Sequence, residues 1–183
     1  MPILLRYGRE SEGFMQLIDY PPDAALQDVW QNATCYGCGP ANRRGLHIKS
    51  YWDAENDEAY ASFTAQPYHN AGFPNVLHGG LIASLCDCHS VWAAIAYTYL
   101  QEGRPFGSAP AISYVTANLN VSFLAPTPLM QPITLRARVE ALAGRKATIF
   151  CYVHDGAKRT AEARLVAVRI EADKSIGYAE GRG

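Results

Sequence analysis

The chain has 183 residues, of which 49% are hydrophobic, and this is typical of one domain with its own packed core. Its 16 basic residues nearly balance 17 acidic ones, and a net charge of −1 argues against a general nucleic-acid binder. Five cysteines, an odd number, do not suggest a secreted disulfide scaffold, so we expect a cytoplasmic protein.

Residues 1–34 are predicted to form an acidic arm outside the main domain, with one or two short helices. The arm holds two arginines against five acidic residues. Pro21-Pro22 interrupts it, and residues 23–31 are predicted to resume as a helix with an apolar stripe. We expect no signal peptide, because the apolar run at residues 3–5 is short and charges follow it at once.

The main domain is predicted over residues 35–172, with a C-terminal tail at residues 173–183. It begins with a turn-rich segment. The predicted strands are residues 46–53, 58–65, 112–124, 133–142, 147–155 and 159–170. A helix separates the second strand from the third, so the order of two strands, a helix and four strands predicts an α+β fold.

The helix is predicted from Gly79 to about Leu100. After Gly80 this stretch contains no proline or glycine, and its apolar positions cover almost the whole circumference. It is long enough to span a bilayer, but a carboxylate, Asp87, lies near its middle and is expensive in lipid. We therefore expect a helix buried in a protein core, with no membrane partner.

Residues of the third strand alternate between apolar and polar side chains. The alternation places Val115 and Phe123 on one face, and Tyr114 and Thr116 on the other. We therefore expect one dry face covering the helix, with Thr116 directed away from the core.

The motif His78-Gly79-Gly80 lies at the predicted start of the helix. Backbone N–H groups there have no intrahelical partner and lie at the positive end of the helix dipole. Such donors suit a developing oxyanion, although glycines at this point also permit close packing against strands. Asp87, a carboxylate in an apolar run, favours the functional interpretation, because an unpaired buried carboxylate is costly.

Gly79 and Asp87 are too far apart on one helix to serve the same reacting carbonyl. Eight helical steps place them about 12 Å apart along the axis, and both groups would need to lie within about 3–4 Å of that carbonyl or its water. Two antiparallel copies of the helix would bring Gly79 of one chain near Asp87 of the other. A homodimer is therefore expected if both residues act on one substrate.

Several motifs together resemble the hotdog-fold acyl-coenzyme A thioesterases, in particular the phenylacetyl-coenzyme A thioesterase-like branch. These are the His78-Gly79-Gly80 turn with Asp87, the segment Cys35-x-x-Cys38-Gly39-Pro40-x-Asn42-x-x-Gly45-Leu46, and the strand from Val115 to Val121. The resemblance spans roughly residues 35–170. It implies a long central helix wrapped by a curved antiparallel sheet of about six strands, dimers or dimers of dimers, and hydrolysis of acyl-coenzyme A at the subunit interface.

The resemblance also implies roles for individual residues. Gly79 matches the oxyanion donor, Asp87 the base or nucleophile, and His78 the histidine of the turn. Thr116 matches a hydroxyl that helps to place the nucleophile or water. Relatives carry an Asn or Gln before the turn, for which Asn70 and Asn75 are both candidates, and Gly80 is expected at the substrate.

Basic residues near two predicted hairpin turns are candidates for binding coenzyme A phosphates. Residues 130–170 hold eight cations against three acidic residues. The candidates are Arg145, Lys146, Lys158 and Arg159. Solvated faces of antiparallel strands would explain the same excess.

No metal and no cofactor are expected, coenzyme A being part of the substrate. Cys35-x-x-Cys38 is one half of a common zinc pattern, but no second such pair follows, and Cys86 and Cys88 lie about 200° apart around the helix. Buried free thiols are the expectation.

The leading hypothesis is therefore an acyl-coenzyme A thioesterase. The alternative is a non-catalytic acyl-coenzyme A binder or sensor on the same fold, although a pure binder has no need of Asp87. A dehydratase is a weaker third option, since His78 is the only histidine placed for that chemistry.

Overall fold

The computed structural model of this protein describes residues 16–156 and 158–171. It contains six strands and one α-helix: β1 (Ser50–Asp53), β2 (Glu58–Thr64), α1 (Gly79–Gln101), β3 (Ile112–Phe123), β4 (Pro132–Ala143), β5 (Lys146–His154) and β6 (Arg159–Glu171). Short 3-10 turns occur at Leu26–Val29 and Pro67–His69. The predicted α+β order of two strands, a helix and four strands is confirmed.

The strands form a single antiparallel sheet around α1. Their order is β1-β2-β4-β5-β6-β3, so β1 and β3 are its edges. Every strand contacts α1. Small and branched residues alternate on the buried face: Ala59, Ala61, Leu135, Ala137, Ala147, Ile149, Cys151, Val153, Ala161, Ala163, Leu165 and Ala167. One long helix packed on a six-stranded antiparallel sheet is the expected hotdog arrangement.

Helix α1 is buried on most of its surface. It is long and apolar enough to cross a membrane by length and composition, and most of its apolar window lies inside the fold. Leu85, Cys86, Ala93 and Ala94 are fully buried against the sheet. This burial matches the expected core helix.

Strand β1 is shorter than predicted. It begins at Ser50, four residues later than the expected start at residue 46. The N–H groups of Leu46 and Ile48 donate to the carbonyls of Tyr36 and Gly37 instead of to a strand. Residues 46–49 therefore pair with the turn-rich segment, and the prediction of a strand there is wrong.

The expected dry face of β3 is wrong for the residues before Ala117 and right for those after it, because the strand contains a β-bulge. Thr116 pairs with Ala167 and Asn118 pairs with Val166, so Ala117 is the extra residue. The bulge reverses the alternation: Thr116 lies on the helix side before it, and Leu119 lies on the helix side after it. Phe123 is on the helix side too but is 57% exposed.

The described part of the arm packs against the domain. Leu26 and Gln27 are fully buried, and the predicted helix at residues 23–31 is only a 3-10 turn. Gln27 Nε2 donates to Ser50 Oγ at 3.0 Å, and its Oε1 accepts the Ser50 N–H at 2.8 Å. The arm's first 15 residues and the whole predicted tail lie outside the described residues, and the domain division stays a prediction.

Candidate active site

The start of helix α1 exposes one backbone donor. His78 is the N-cap, and its Nδ1 accepts the N–H of Gly80 at 3.0 Å. The N–H groups of Leu81 and Ile82 donate to the His78 carbonyl. Within the described residues the Gly79 N–H has no partner, so it is the amide left to bind an anion at the positive end of the helix.

Both glycines of the turn lie close to a neighbouring ring. A Cβ on Gly79 would lie 3.1 Å from the Phe123 ring, and one on Gly80 would lie 2.9 Å from the His78 ring. The first contact needs a small shift of Phe123, whereas the second would displace the capping imidazole. His78 therefore positions the turn through its cap, and Gly79 keeps close access to β3.

An open groove lies beside the Gly79 N–H, between the start of α1 and the second half of β3. Its volume is about 570 Å³. Most of its lining is small or apolar: Ala71, His78, Gly79, Gly80, Ala83, Leu119, Val121 and Phe123. The bulge in β3 turns Leu119 and Val121 toward this groove, which suits an apolar acyl group next to a hydrogen-bond donor.

Asp87 lies two turns further along α1, and its carboxylate is held by a hydroxyl. Thr116 Oγ1 donates to Asp87 Oδ1 in a short hydrogen bond. Burial raises the pKa of Asp87 above its usual range, while the bond from Thr116 lowers it. Thr116 was expected to face away from the core, and the bulge at Ala117 is the reason that it reaches Asp87.

Gly79 and Asp87 do not meet within one chain. Gly79 lies against Phe123 and Asp87 against Thr116, seven residues apart on β3. Their separation along the helix is about 12 Å, as the spacing predicts. One chain therefore carries a donor and a carboxylate at two separate positions.

The asparagines before the turn are engaged locally. Asn70 Oδ1 accepts the Gly72 N–H at 2.9 Å, and its Nδ2 donates to the Pro67 carbonyl at 3.1 Å. Asn75 is exposed and adopts a φ of 59°, and its carbonyl accepts the Leu129 N–H. Neither lines the groove, so their substrate roles stay predictions.

The four candidate phosphate-binding cations are not brought together. Arg145 precedes β5 and Lys146 is its first residue, whereas Lys158 and Arg159 lie beyond the other end of that strand. The nine residues of β5 separate the two pairs by about 26 Å. Arg159 lies at the Gly79 end of the sheet, because Ala161 of β6 pairs with Phe123.

Most cations of this region have carboxylate partners, and Arg159 pairs with Glu162 at 3.2 Å. Other ion pairs join Arg136 to Asp53 and Glu58, Arg164 to Glu140, and Arg169 to Glu102. The local positive excess in the sequence is therefore largely offset by acidic residues from other strands and from the end of α1.

A cluster of three thiols was missed by the sequence analysis. Cys88 of α1 joins Cys35 and Cys38, and the three sulfurs lie within 4.8 Å of one another. Cys86 faces away, as expected. No local spacing could indicate the third member, because about 50 residues separate Cys88 from the Cys35-x-x-Cys38 pair and only the packing of the turn on α1 unites them.

The chain is similar in sequence to known thioesterases. A family model described as thioesterase superfamily matches residues 74–162. Acyl-coenzyme A thioesterase THEM4 of Bos taurus is 29% identical over 172 residues, covering 93% of this chain and 65% of that protein. The chain spans only 42% and 40% of the mouse and rat proteins of the same name.

Solved structures share the fold. A thioesterase superfamily protein from Shewanella loihica is 31% identical with a TM-score of 0.57, covering 79% of this chain and 98% of that one. The PaaI protein of the E. coli phenylacetic acid degradation operon is 20% identical with a TM-score of 0.55, covering 68% of this chain and 80% of its own. The second likeness is one of fold alone.

Proposed function

This chain belongs to the thioesterase superfamily, and we propose that it hydrolyses acyl-coenzyme A thioesters to the free acid and coenzyme A. The observation that carries the proposal is the pairing of two features: an unpartnered Gly79 N–H on an apolar groove, and a carboxylate, Asp87, held by Thr116. The bovine relative is an acyl-coenzyme A thioesterase, which supports the same substrate class for this chain.

The Gly79 N–H would bind the thioester carbonyl oxygen, because that oxygen gains negative charge as the carbonyl carbon is attacked. Asp87 would act as general base or as nucleophile. As a base, it takes a proton from water while the water oxygen bonds to the carbonyl carbon. The carbon–sulfur bond then breaks, and the coenzyme A thiolate leaves and is protonated. No cofactor is needed for these steps.

The proposed site is completed by a second copy of the chain. Since Gly79 and Asp87 lie about 12 Å apart along one helix, a twofold axis between antiparallel α1 helices would generate two equivalent sites. Strand β3 is a sheet edge, and Phe123 and Leu124 near its end are 57% and 53% exposed. A homodimer, or a dimer of dimers, would cover these residues.

Lys158 and Arg159 are candidates for coenzyme A phosphates beside the Gly79 of their own chain, because they lie at that end of the sheet, where Arg159 would exchange Glu162 for a phosphate. Arg145 and Lys146 lie at the opposite end, which is nearer Thr116. The cytoplasmic location and the absence of nucleic-acid and membrane partners stay predictions.

A thiol-release assay over a panel of acyl-coenzyme A esters tests the proposal. We expect hydrolysis by the wild type and at least a hundredfold lower kcat in Asp87→Asn, which keeps the size of the side chain and removes its basicity. Near-normal turnover in that variant would contradict the mechanism. Ligands that bind and stabilise the wild type without being cleaved would favour the non-catalytic binder instead.

A single turnover in ¹⁸O-water tests the nucleophilic role of Asp87. A nucleophile forms a mixed anhydride, and water attacking its Asp87 carbonyl leaves ¹⁸O in the protein, which a general base never does. Label in the product acid alone fits a general base and also water attacking the acyl carbonyl of the anhydride, so ¹⁸O in the protein is the diagnostic result.

A further inference from the structure

The three-thiol cluster of Cys35, Cys38 and Cys88 has the composition and spacing of a metal site. All three sulfurs lie within 4.8 Å of one another, and Cys35 Sγ is 3.6 Å from Cys88 Sγ. Tetrahedral zinc with bonds of about 2.3 Å to sulfur holds its ligands about 3.8 Å apart. The cluster therefore needs only small adjustments to enclose one ion.

An N–H donor from outside the cluster reaches its sulfurs. Trp92 Nε1 donates to Cys38 Sγ at 3.3 Å. A donor of this kind orients a metal-bound thiolate and offsets part of its charge, as the outer shell of a metal site does.

The fold also holds the turn tightly on the helix. A Cβ on Gly37 would lie 2.3 Å from Cys88 Sγ, and one on Gly39 would lie 2.4 Å from the backbone nitrogen of Cys35. Glycine at both positions lets the Cys35–Cys38 turn fold back on itself and press against Cys88. Cys38 and Cys88 are buried and Cys35 is exposed, so one side of the cluster faces solvent.

We propose that Cys35, Cys38 and Cys88 bind one Zn²⁺ per chain, with water in the fourth position on the exposed side. Soft thiolate ligands select zinc among the common divalent ions. Among the described residues, no fourth cysteine, histidine or carboxylate joins the cluster. The ion would fasten the turn to α1 at the residue next to Asp87, which is a structural role distinct from hydrolysis.

Metal content tests the proposal independently of any activity. The full chain is purified in a thiol-free reductant, loaded with zinc, desalted and measured by inductively coupled plasma mass spectrometry. We expect about one zinc per chain in the wild type and less than about a tenth of that in Cys35→Ser, which changes an exposed thiol. Cys151→Ala, which removes a buried thiol outside the cluster, is the matched control and should keep its zinc.

Cobalt supplies a readout that remains valid if Cys35→Ser folds poorly. Co²⁺ added to the zinc-free wild type should give thiolate-to-metal charge-transfer absorption in the near ultraviolet and tetrahedral bands in the visible, saturating at one equivalent. A wild type that binds neither ion, or a well-folded Cys35→Ser that retains its zinc, would overturn the proposal. Copper in place of zinc in the loaded wild type would overturn the choice of ion.

Discussion

Replacing Gly79 with proline removes the proposed oxyanion donor with little other change. Gly79 is the first residue of α1, where proline is well tolerated because its missing N–H has no helical partner. His78 has φ −62° and ψ 128°, the extended conformation that a residue before proline prefers. The helix should therefore form in Gly79→Pro.

The matched control is Gly79→Ala. Alanine keeps the N–H and adds a Cβ 3.1 Å from the Phe123 ring, a contact that proline shares. Since Phe123 is 57% exposed, its ring can move, and we expect Gly79→Ala to lose less than about tenfold in kcat. Loss of one oxyanion donor costs about a further 100- to 1,000-fold, or roughly 3–4 kcal/mol of barrier.

Both variants would be assayed for thiol release under substrate saturation, with thermal unfolding as the check on folding. A large gap in kcat between the two, with similar melting temperatures, would support the Gly79 N–H as the donor. If Gly79→Pro turned over within threefold of Gly79→Ala, the N–H would not be the donor and the proposed mechanism would fail.

Three further predictions concern Asp87 and the buried polar network. Thr116→Val should lower kcat roughly 10- to 100-fold and move the acid limb of the pH–rate profile to higher pH, because the lost bond holds down the pKa of Asp87. Thr116→Ser should restore both kcat and the acid limb. An acid limb that does not move in Thr116→Val would refute a positioning role. Gln27→Ala should lower the free energy of unfolding by about 2–4 kcal/mol in urea titrations, because it leaves the buried Ser50 N–H without its partner and opens a buried space. Ser50 Oγ keeps its bond to His89 Nδ1, and a loss under about 0.5 kcal/mol would contradict this account. Burial lowers the pKa of His89 to about 4, whereas the unfolded chain has a pKa near 6.5 at this residue. The free energy of unfolding should therefore fall by up to about 3 kcal/mol as the pH drops from above 6.5 toward 4. His89→Gln should remove this pH dependence, and an equal pH dependence of unfolding in the two proteins would contradict the prediction.

Most helix and strand bounds could be predicted from the sequence, because they depend on local patterns of residues. The bounds of α1 follow from the glycine turn at Gly79 and the unbroken apolar run after it, and the strands after α1 follow from alternation between hairpin turns. The bounds of β3 to β6 were predicted within two residues. The first strand was predicted four residues too long, because Leu46 and Ile48 have side chains typical of a strand but their N–H groups donate to carbonyls of the preceding turn.

The sequence indicates the members of the candidate site more readily than their geometry. Gly79 and Asp87 are recognisable from the glycine turn and the lone carboxylate in an apolar helix. The bulge at Ala117 is not, because the alternation of residue types runs on through it, so the contact of Thr116 with Asp87 needed the structure.

The sequence pattern could not predict which residues from distant segments are brought together by packing. Cys88 meets Cys35 and Cys38 because residues 35–38 fold onto α1, and the basic residues at the ends of β5 lie apart because an extended strand separates them. Both features depend on distances between segments, which composition and spacing do not report.

The central claim, that each site combines Gly79 of one chain with Asp87 of its partner, is tested most directly with heterodimers. Gly79→Pro and Asp87→Asn chains carrying different tags are co-expressed, and the mixed dimer is isolated by sequential affinity steps. One of its two sites then has both groups intact and the other has neither, so we predict about half the wild-type activity per dimer. Activity no higher than that of either variant alone would contradict the shared site.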